Sequence, residues 1–191
     1  NASIQDSNRR RRPALESVDR RSTGATPHGN TTMKLLATSG MLGYGYTEEA
    51  FQRAVDQGMD MIGCDGGSMD PGPYYLGAGT PFVSRRATKR DLGLMIQAGV
   101  KHGTPVVIGS AGGSGGAPHV AWTQSIIEEI AAENNIGFRM AVIDAEQSHA
   151  RIKQAISTGR VQSLGPIDEL SAATVDGSER IVAMMGVEPL Q

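Results

Sequence analysis

Continuous apolar runs alternate with amphipathic segments along most of this chain. The apolar runs predict buried strands at residues 34–38, 59–64, 105–109 and 138–143. The segments between and after them predict helices at about 47–57, 84–101, 120–133, around 152–156 and at 178–185. Strands that alternate with helices form parallel sheets with right-handed crossovers. The pattern therefore predicts an α/β fold, a Rossmann-like three-layer sandwich with a mainly parallel sheet.

Two stretches depart from this alternation. Residues 65–83 are rich in Gly and Pro, which predicts a long loop without regular structure. Residues 1–32 contain six arginines, three acids and almost no large apolar side chain, as is typical of a disordered or adventitious leader. The arginine run at 9–12 could instead form a nucleic-acid patch. We expect residues 33–191 to be one α/β domain.

The overall composition favours some functional classes over others. The 191 residues carry a formal net charge of −2, which shows no bias toward nucleic acid or acidic lipid. No apolar run approaches the roughly 20 residues that span a bilayer. One cysteine forms no internal disulfide framework, so a reducing, cytoplasmic location fits. We therefore expect no nucleic-acid partner and no membrane partner, while association into a homo-oligomer stays open.

Small and polar residues follow the carboxyl end of every predicted strand. In open parallel sheets, ligands bind beyond those ends, so the four ends are expected to form one crevice. The candidate ligand-binding residues are Ser39, Gly67, Ser68, Tyr74, Gly109, Ser110, Gly112, Gly113, Gly115, Asp144 and Glu146.

The segment GSAGGSGG at 109–116 is the densest glycine cluster of the chain and precedes a predicted helix. Free N–H groups at a helix amino end favour an anion such as phosphate or carboxylate. The segment matches neither the Walker pattern nor GxGxxG. Anion or cofactor contact is one interpretation, and a flexible, tightly packed turn is the other. No specific cofactor is indicated.

Three residues are candidates for catalysis. Asp65 directly follows a buried strand, where partial desolvation could raise its pKa into a useful range. Asp70 lies in a stiff Asp-Pro-Gly-Pro turn that could hold a functional group. His119 lies near a helix amino end, which favours the neutral imidazole that can accept a proton or polarise a carbonyl. Turn-forming roles for the aspartates and a solvated surface position for the histidine are the alternatives.

The remaining chemistry-bearing residues have plainer interpretations. Tyr74 could donate a hydrogen bond or pack its loop, and Asp144 and Glu146 could bind a hydroxyl or cap the following helix. Cys64 is expected to be a small buried hydrophobe. Residues 89–91 are expected to form a solvated helix face. No HExxH or paired-cysteine spacing supports a metal site.

Several segments resemble the amino-terminal part of the acyclic terpene utilisation (AtuA) family. They are TSGMLGYGY (38–46), CDGGSMDPGPYYLGAG (64–79), KRDL (89–92), IGSAGGSGGAPH (108–119) and MGVEP (185–189). Two positions depart from the family pattern, with Gly66 in place of Ala and Met69 in place of Thr. The resemblance implies catabolism of branched or terpenoid acids as coenzyme A thioesters, and it assigns no catalytic residue. Because members of the family are longer, it also implies that residues 33–191 are the amino-terminal fragment of a longer protein and form an incomplete domain.

These observations predict a catabolic enzyme domain that acts on a small acyl or carboxylate ligand by acid–base chemistry at the strand ends. Lyase, hydratase and hydrolase reactions all fit. The alternative is a non-catalytic subunit that binds a nucleotide or coenzyme A.

Overall fold

The computed structural model describes residues 2–6, 32–67 and 72–190, the first of these ranges by its backbone alone. The five strands are β1 (Ala2–Asp6), β2 (Leu35–Ala37), β3 (Met61–Asp65), β4 (Val106–Gly109) and β5 (Arg139–Ile143). The six α-helices are α1 (Glu48–Val55), α2 (Tyr74–Ala78), α3 (Arg85–His102), α4 (Ala117–Asn134), α5 (His149–Ser157) and α6 (Ala172–Asp176). Short 3-10 turns occur at Ala111–Gly113 and Glu188–Leu190.

The strands form two sheets. β2, β3 and β4 form a parallel sheet in that order, with Leu36 opposite Ile62 and Ile62 opposite Val106. β5 pairs antiparallel with β1 instead, with Ile143 opposite Ala2. The α/β class and the parallel sheet are confirmed, and this small sheet with its helices is consistent with part of a Rossmann-like fold.

The longer helices begin or end at residues that favour helix termini. The Ser84 hydroxyl accepts a hydrogen bond from the Ala87 N–H at the start of α3, which ends at Gly103 in a left-handed conformation. Ser148 caps α5 in the same way. Pro118 stands in the first turn of α4, where its missing N–H costs nothing.

The main hydrophobic core joins α1, α3 and α4 to the parallel sheet. Its buried members are Leu42, Phe51, Val55, Ile62, Leu92, Met95, Ile96, Ile126 and Ile130. Across the surface of the α3–α4 pair, Lys89 contacts both Glu129 and Glu133. Exposed ion pairs of this kind add little stability, so the apolar core carries most of the packing energy.

Two local predictions are wrong. Residues 74–78 form α2 inside the segment that was expected to lack regular structure. Residues 178–185 do not form a helix; the last described α-helix is α6, and Val182 makes an antiparallel bridge to Glu146. Of the leader that was predicted to be disordered or adventitious, residues 2–6 form a strand, and residues 1 and 7–31 lie outside the described residues.

Across the described ranges, the model contains no helix with the length and apolar character needed to cross a membrane.

Candidate functional site

The loops that follow the three parallel strands contact one another at the carboxyl edge of the sheet. The Leu42 N–H donates to the Asp65 carbonyl at 2.8 Å, which joins the loops after β2 and β3. The Gly66 N–H donates to the Gly109 carbonyl at 2.6 Å, which joins the loops after β3 and β4. The expected convergence is therefore present for three strand ends. The prediction that the fourth strand joins the same sheet is wrong, because β5 pairs with β1 instead.

Glycine allows the β3 and β4 loops to approach this closely. A Cβ on Gly67 would lie 2.6 Å from the Gly113 carbonyl oxygen and 2.7 Å from the Ser110 Cβ. Both distances are far shorter than a van der Waals contact, so position 67 excludes any side chain. Part of the glycine content of these loops thus serves backbone packing, which is the plainer of the two interpretations of the glycine segment.

Ser110 has an unusual backbone conformation at the start of the glycine segment. Its φ of 46° and ψ of 47° lie in the left-handed region, which residues with a Cβ seldom adopt. The residue is exposed. Strained, exposed loop residues beside a rigid sheet occur often at binding sites, which keeps Ser110 among the candidate ligand contacts.

The N–H groups in the first turn of α4 already have hydrogen-bond acceptors within the protein. The Ala117 N–H donates to Glu146 Oε2 at 2.6 Å, and Pro118 has no N–H. The His119 and Val120 N–H groups both donate to the Gly116 carbonyl. This arrangement contradicts the expected anion site at the start of α4, because a carboxylate of the chain occupies that place. Glu146 was expected to bind a hydroxyl or to cap the following helix; it instead caps the preceding helix α4, and Ser148 caps the following helix α5.

His119 is completely buried, which contradicts the alternative interpretation of a solvated surface histidine. Its Nε2 lies 3.0 Å from the Tyr75 carbonyl oxygen and 3.1 Å from that of Thr80. These contacts join α4 to the 72–82 segment. Nδ1 is buried without a hydrogen-bond partner in the described part of the chain.

Asp65 is exposed, so its expected partial desolvation is wrong. Its Oδ1 accepts a hydrogen bond from the Gly67 N–H at 2.9 Å, as in an Asx turn. The carboxylate thus lies at the carboxyl edge with a defined orientation, as its turn-forming interpretation predicted. The predicted site residues Ser68 and Asp70 lie outside the described residues.

The other candidates are spread around this edge. The Ser39 hydroxyl donates to the Met41 carbonyl inside its own loop. Tyr74 is 70% exposed, and its ring packs edge-on against Tyr75. Asp144 is exposed after β5, and Gly115 donates its N–H to the Ala111 carbonyl. Glu146 connects the β5 end to this edge through its bond to Ala117.

Asp91 is a structural residue whose role the sequence pattern did not indicate. It was expected on a solvated helix face, but it is completely buried. Its Oδ2 accepts hydrogen bonds from the N–H groups of Gly43 and Gly45, and its Oδ1 accepts from Arg90. The carboxylate therefore fixes the loop after β2 on α3.

Arg180 is a second contact that the sequence pattern did not indicate. Its guanidinium donates to the carbonyl oxygens of Leu76 and Gly77, at the end of α2. The neighbouring residues pair with the segment after β5: the Gln147 N–H donates to the Ile181 carbonyl. Contacts between residues a hundred positions apart leave no local signal in a sequence.

Cys64 and the acidic side chains of the described residues are the groups from which a nucleophile or a metal site could be built. Burial, with smaller contributions from Asp65 and Asp91, raises the pKa of the Cys64 thiol to about 12. The thiol is therefore protonated at neutral pH, as expected for a small buried hydrophobe. Within the described residues, no group of three or more His, Cys, Asp and Glu side chains is placed to hold a metal ion.

An apolar slot of about 580 Å³ lies between β4 and β5. β4 pairs with β3 and β5 pairs with β1, so no described strand fills the space between them. The walls include Ile96, Val106, Ile108, Ile127, Phe138 and Ile143. Ala111 and Val120 line it at the carboxyl edge, beside the glycine segment. Its volume falls in the range of about 300–1,000 Å³ that small-molecule sites occupy.

No family model, no curated protein and no solved structure matches this chain.

Proposed function

We propose that this chain is a catabolic enzyme domain that acts on a small acyl or carboxylate compound. One observation carries the proposal: the apolar slot between β4 and β5 reaches the carboxyl edge, where the polar loop residues lie. An acyl chain suits the aliphatic walls, and its carboxyl or thioester end would then lie at the loops. The resemblance to the acyclic terpene utilisation family favours the coenzyme A thioester of a branched or terpenoid acid, processed in the cytoplasm.

Asp65 takes the acid–base role in this proposal. Its carboxylate is exposed at the edge and held by the Gly67 N–H. His119 is buried behind the loops and acts as a positioning residue, because its ring joins α4 to the 72–82 segment. Asp70 stays a predicted second carboxylate. The geometry leaves lyase, hydratase and hydrolase reactions open.

Ligand-induced thermal stabilisation tests the binding part of the proposal. The panel contains a branched ten-carbon acyl-coenzyme A, coenzyme A, ATP and short carboxylates. A ligand at about 100 times its dissociation constant stabilises the native state by about 2.7 kcal/mol, so the melting midpoint should rise clearly with the acyl-coenzyme A. Ala141→Phe, which fills the slot, should abolish that rise. Ala50→Phe, on the exposed face of α1, is the matched control and should leave it unchanged.

A non-catalytic subunit that binds a nucleotide or coenzyme A is the second candidate. The observation in its favour is that Glu146 Oε2 and His119 Nε2 both form hydrogen bonds with backbone groups of the chain. Asp65→Asn separates the two candidates. For an enzyme, the substitution abolishes thiol release or hydration of the bound acyl-coenzyme A and spares its affinity, whereas Asp168→Asn in an exposed loop changes neither. For a binding subunit, the wild type shows no turnover and Asp65→Asn is silent.

A further inference from the structure

The hydrogen-bond partners of His119 determine which of its nitrogens carries the proton. Nε2 faces the carbonyl oxygens of Tyr75 and Thr80, which can only accept hydrogen bonds. Nε2 must therefore carry the hydrogen. In the neutral imidazole, Nδ1 is then an acceptor that needs a donor.

Nδ1 lies in the interior without such a donor in the described part of the chain. His119 is 0% exposed, so bulk water does not reach it. Buried polar atoms almost always have a protein or water partner. The Thr88 hydroxyl is also without a partner among the described residues. The other atoms around a Cβ on the adjacent Gly43 belong to the apolar Val83, whereas His119 Nδ1 has a polar neighbour.

That neighbour is the Glu146 carboxylate. A Cβ on Gly116 would lie 3.2 Å from His119 Nδ1 and 3.5 Å from Glu146 Oε2. Gly116 has φ −69° and ψ 158°, which any residue adopts, so its backbone does not require glycine. Its missing side chain leaves the two acceptors beside one narrow space that a methyl group would already overfill.

A ligand at this place must donate hydrogen bonds rather than accept them. In the first turn of α4, the Ala117 N–H is bound to Glu146 and the His119 N–H is bound to the Gly116 carbonyl. The carboxylate would repel an anion. The narrow space is bounded on its third side by Leu76, which adds no donor.

We propose that Gly116, His119 and Glu146 form a binding site for one small donor with at least two hydrogens, water or ammonium. One hydrogen bonds to His119 Nδ1 and another to Glu146 Oε2. The site connects α4, the segment after β5 and the 72–82 segment. It does not depend on the proposed function, because it takes no acyl ligand.

Nuclear magnetic resonance of the intact chain with ¹⁵N-labelled histidine tests the site. We expect His119 to show a protonated Nε2 and an Nδ1 that is an unprotonated, hydrogen-bonded acceptor. An Nδ1 with the shift of a free acceptor, or a doubly protonated ring, would overturn the proposal. Titration with ammonium chloride against potassium chloride at equal concentration separates the two donors, because potassium cannot donate hydrogen bonds. A change with ammonium alone identifies ammonium, and equal behaviour in both salts identifies water.

The variant Gly116→Ala provides a second test of the proposed site. The new methyl group takes the space between the acceptors, so the Nδ1 resonance should move to the position of a free acceptor. Gly40→Ala is the control, since no atom lies within 4 Å of its new Cβ. An unmoved resonance in folded Gly116→Ala contradicts the proposal, and if that variant does not fold, the wild-type spectrum still decides.

Discussion

Two buried polar side chains hold neighbouring loops of this molecule, and they differ in how many of their polar atoms have hydrogen-bond partners. Asp91 fixes the loop after β2: both carboxylate oxygens accept hydrogen bonds, from Gly43, Gly45 and Arg90. His119 fixes the 72–82 segment on α4 through Nε2 alone, and its Nδ1 has no described partner.

The difference separates a structural residue from a candidate site. A buried carboxylate with both oxygens hydrogen-bonded has no orphaned atom that would suggest a ligand, and its place is set by the chain itself. A buried imidazole with an unused acceptor leaves one interaction to be supplied from outside the described residues. The Asp91 hydrogen bonds therefore join the segments TSGMLGYGY and KRDL, while IGSAGGSGGAPH contains a buried nitrogen without a partner among the described residues.

Asp91→Ala should produce the largest effect on stability. It removes a completely buried carboxylate and leaves the Gly43 and Gly45 N–H groups without their acceptor, so the free energy of unfolding should fall by about 3 kcal/mol or more. Chemical denaturation measures the change. Asp168→Ala, in an exposed loop, is the control and should stay within about 0.5 kcal/mol of wild type. Equal stability of the two variants would show that Asp91 does not clamp the loop.

Gly112→Ala tests how tightly the glycine segment packs on His119. Its Cβ would lie 2.6 Å from both the Cβ and the carbonyl oxygen of His119, at a φ of 67°. Overpacking and the left-handed backbone together should cost about 2–4 kcal/mol in denaturation experiments. Gly115→Ala has a φ of 68° and open space around its Cβ, so it should cost only about 1–2 kcal/mol. If both variants lose the same amount, the contact with His119 is not tight.

The pH dependence of the free energy of unfolding tests the burial of Cys64, whose pKa Asp91 helps to raise. The folded state raises the pKa of Cys64 from its ordinary value of about 9 to about 12, chiefly by burial, with Asp65 and then Asp91 adding to the shift. Because the folded state holds the thiol proton more tightly, this stabilisation is complete below about pH 9 and is lost as the pH rises toward about 12. Denaturation between pH 8 and 11 should therefore show a steeper decline for wild type than for Cys64→Ala. Parallel declines would contradict the burial of the thiol.

Ser110→Gly should produce the smallest effect, and it should be stabilising. Glycine removes the left-handed strain at φ 46° but adds freedom to the unfolded chain, so the net gain should be about 0.5 kcal/mol. Ser114→Gly, in the same segment at φ −143°, has no strain to relieve and should lose about 0.5–1 kcal/mol. Differential scanning calorimetry resolves the opposite signs, and a loss in both variants would show that Ser110 is not strained.

Local patterns in the sequence were sufficient for the main elements of the fold. The runs at 59–64 and 105–109 became β3 and β4 within two residues, because apolar continuity marks a buried strand wherever it lies. Ser84 and Gly103 marked the ends of α3, because capping is decided by adjacent residues. The convergence of strand ends followed from the parallel topology alone.

Tertiary structure decided the exposure and the hydrogen-bond partners of the site residues. Asp65 is exposed although partial desolvation was expected, and His119 is buried although a solvated surface position was one of its two interpretations, because exposure depends on which distant segment covers a residue. The anion expected at the start of α4 is supplied by Glu146, 29 residues further along the chain. The sequence by itself determined the strands of the parallel sheet, the long helices and the edge at which the loops meet, since these depend on neighbouring residues. Only the folded chain decided which polar atoms remain unsatisfied there, because each partner comes from a segment far away in sequence.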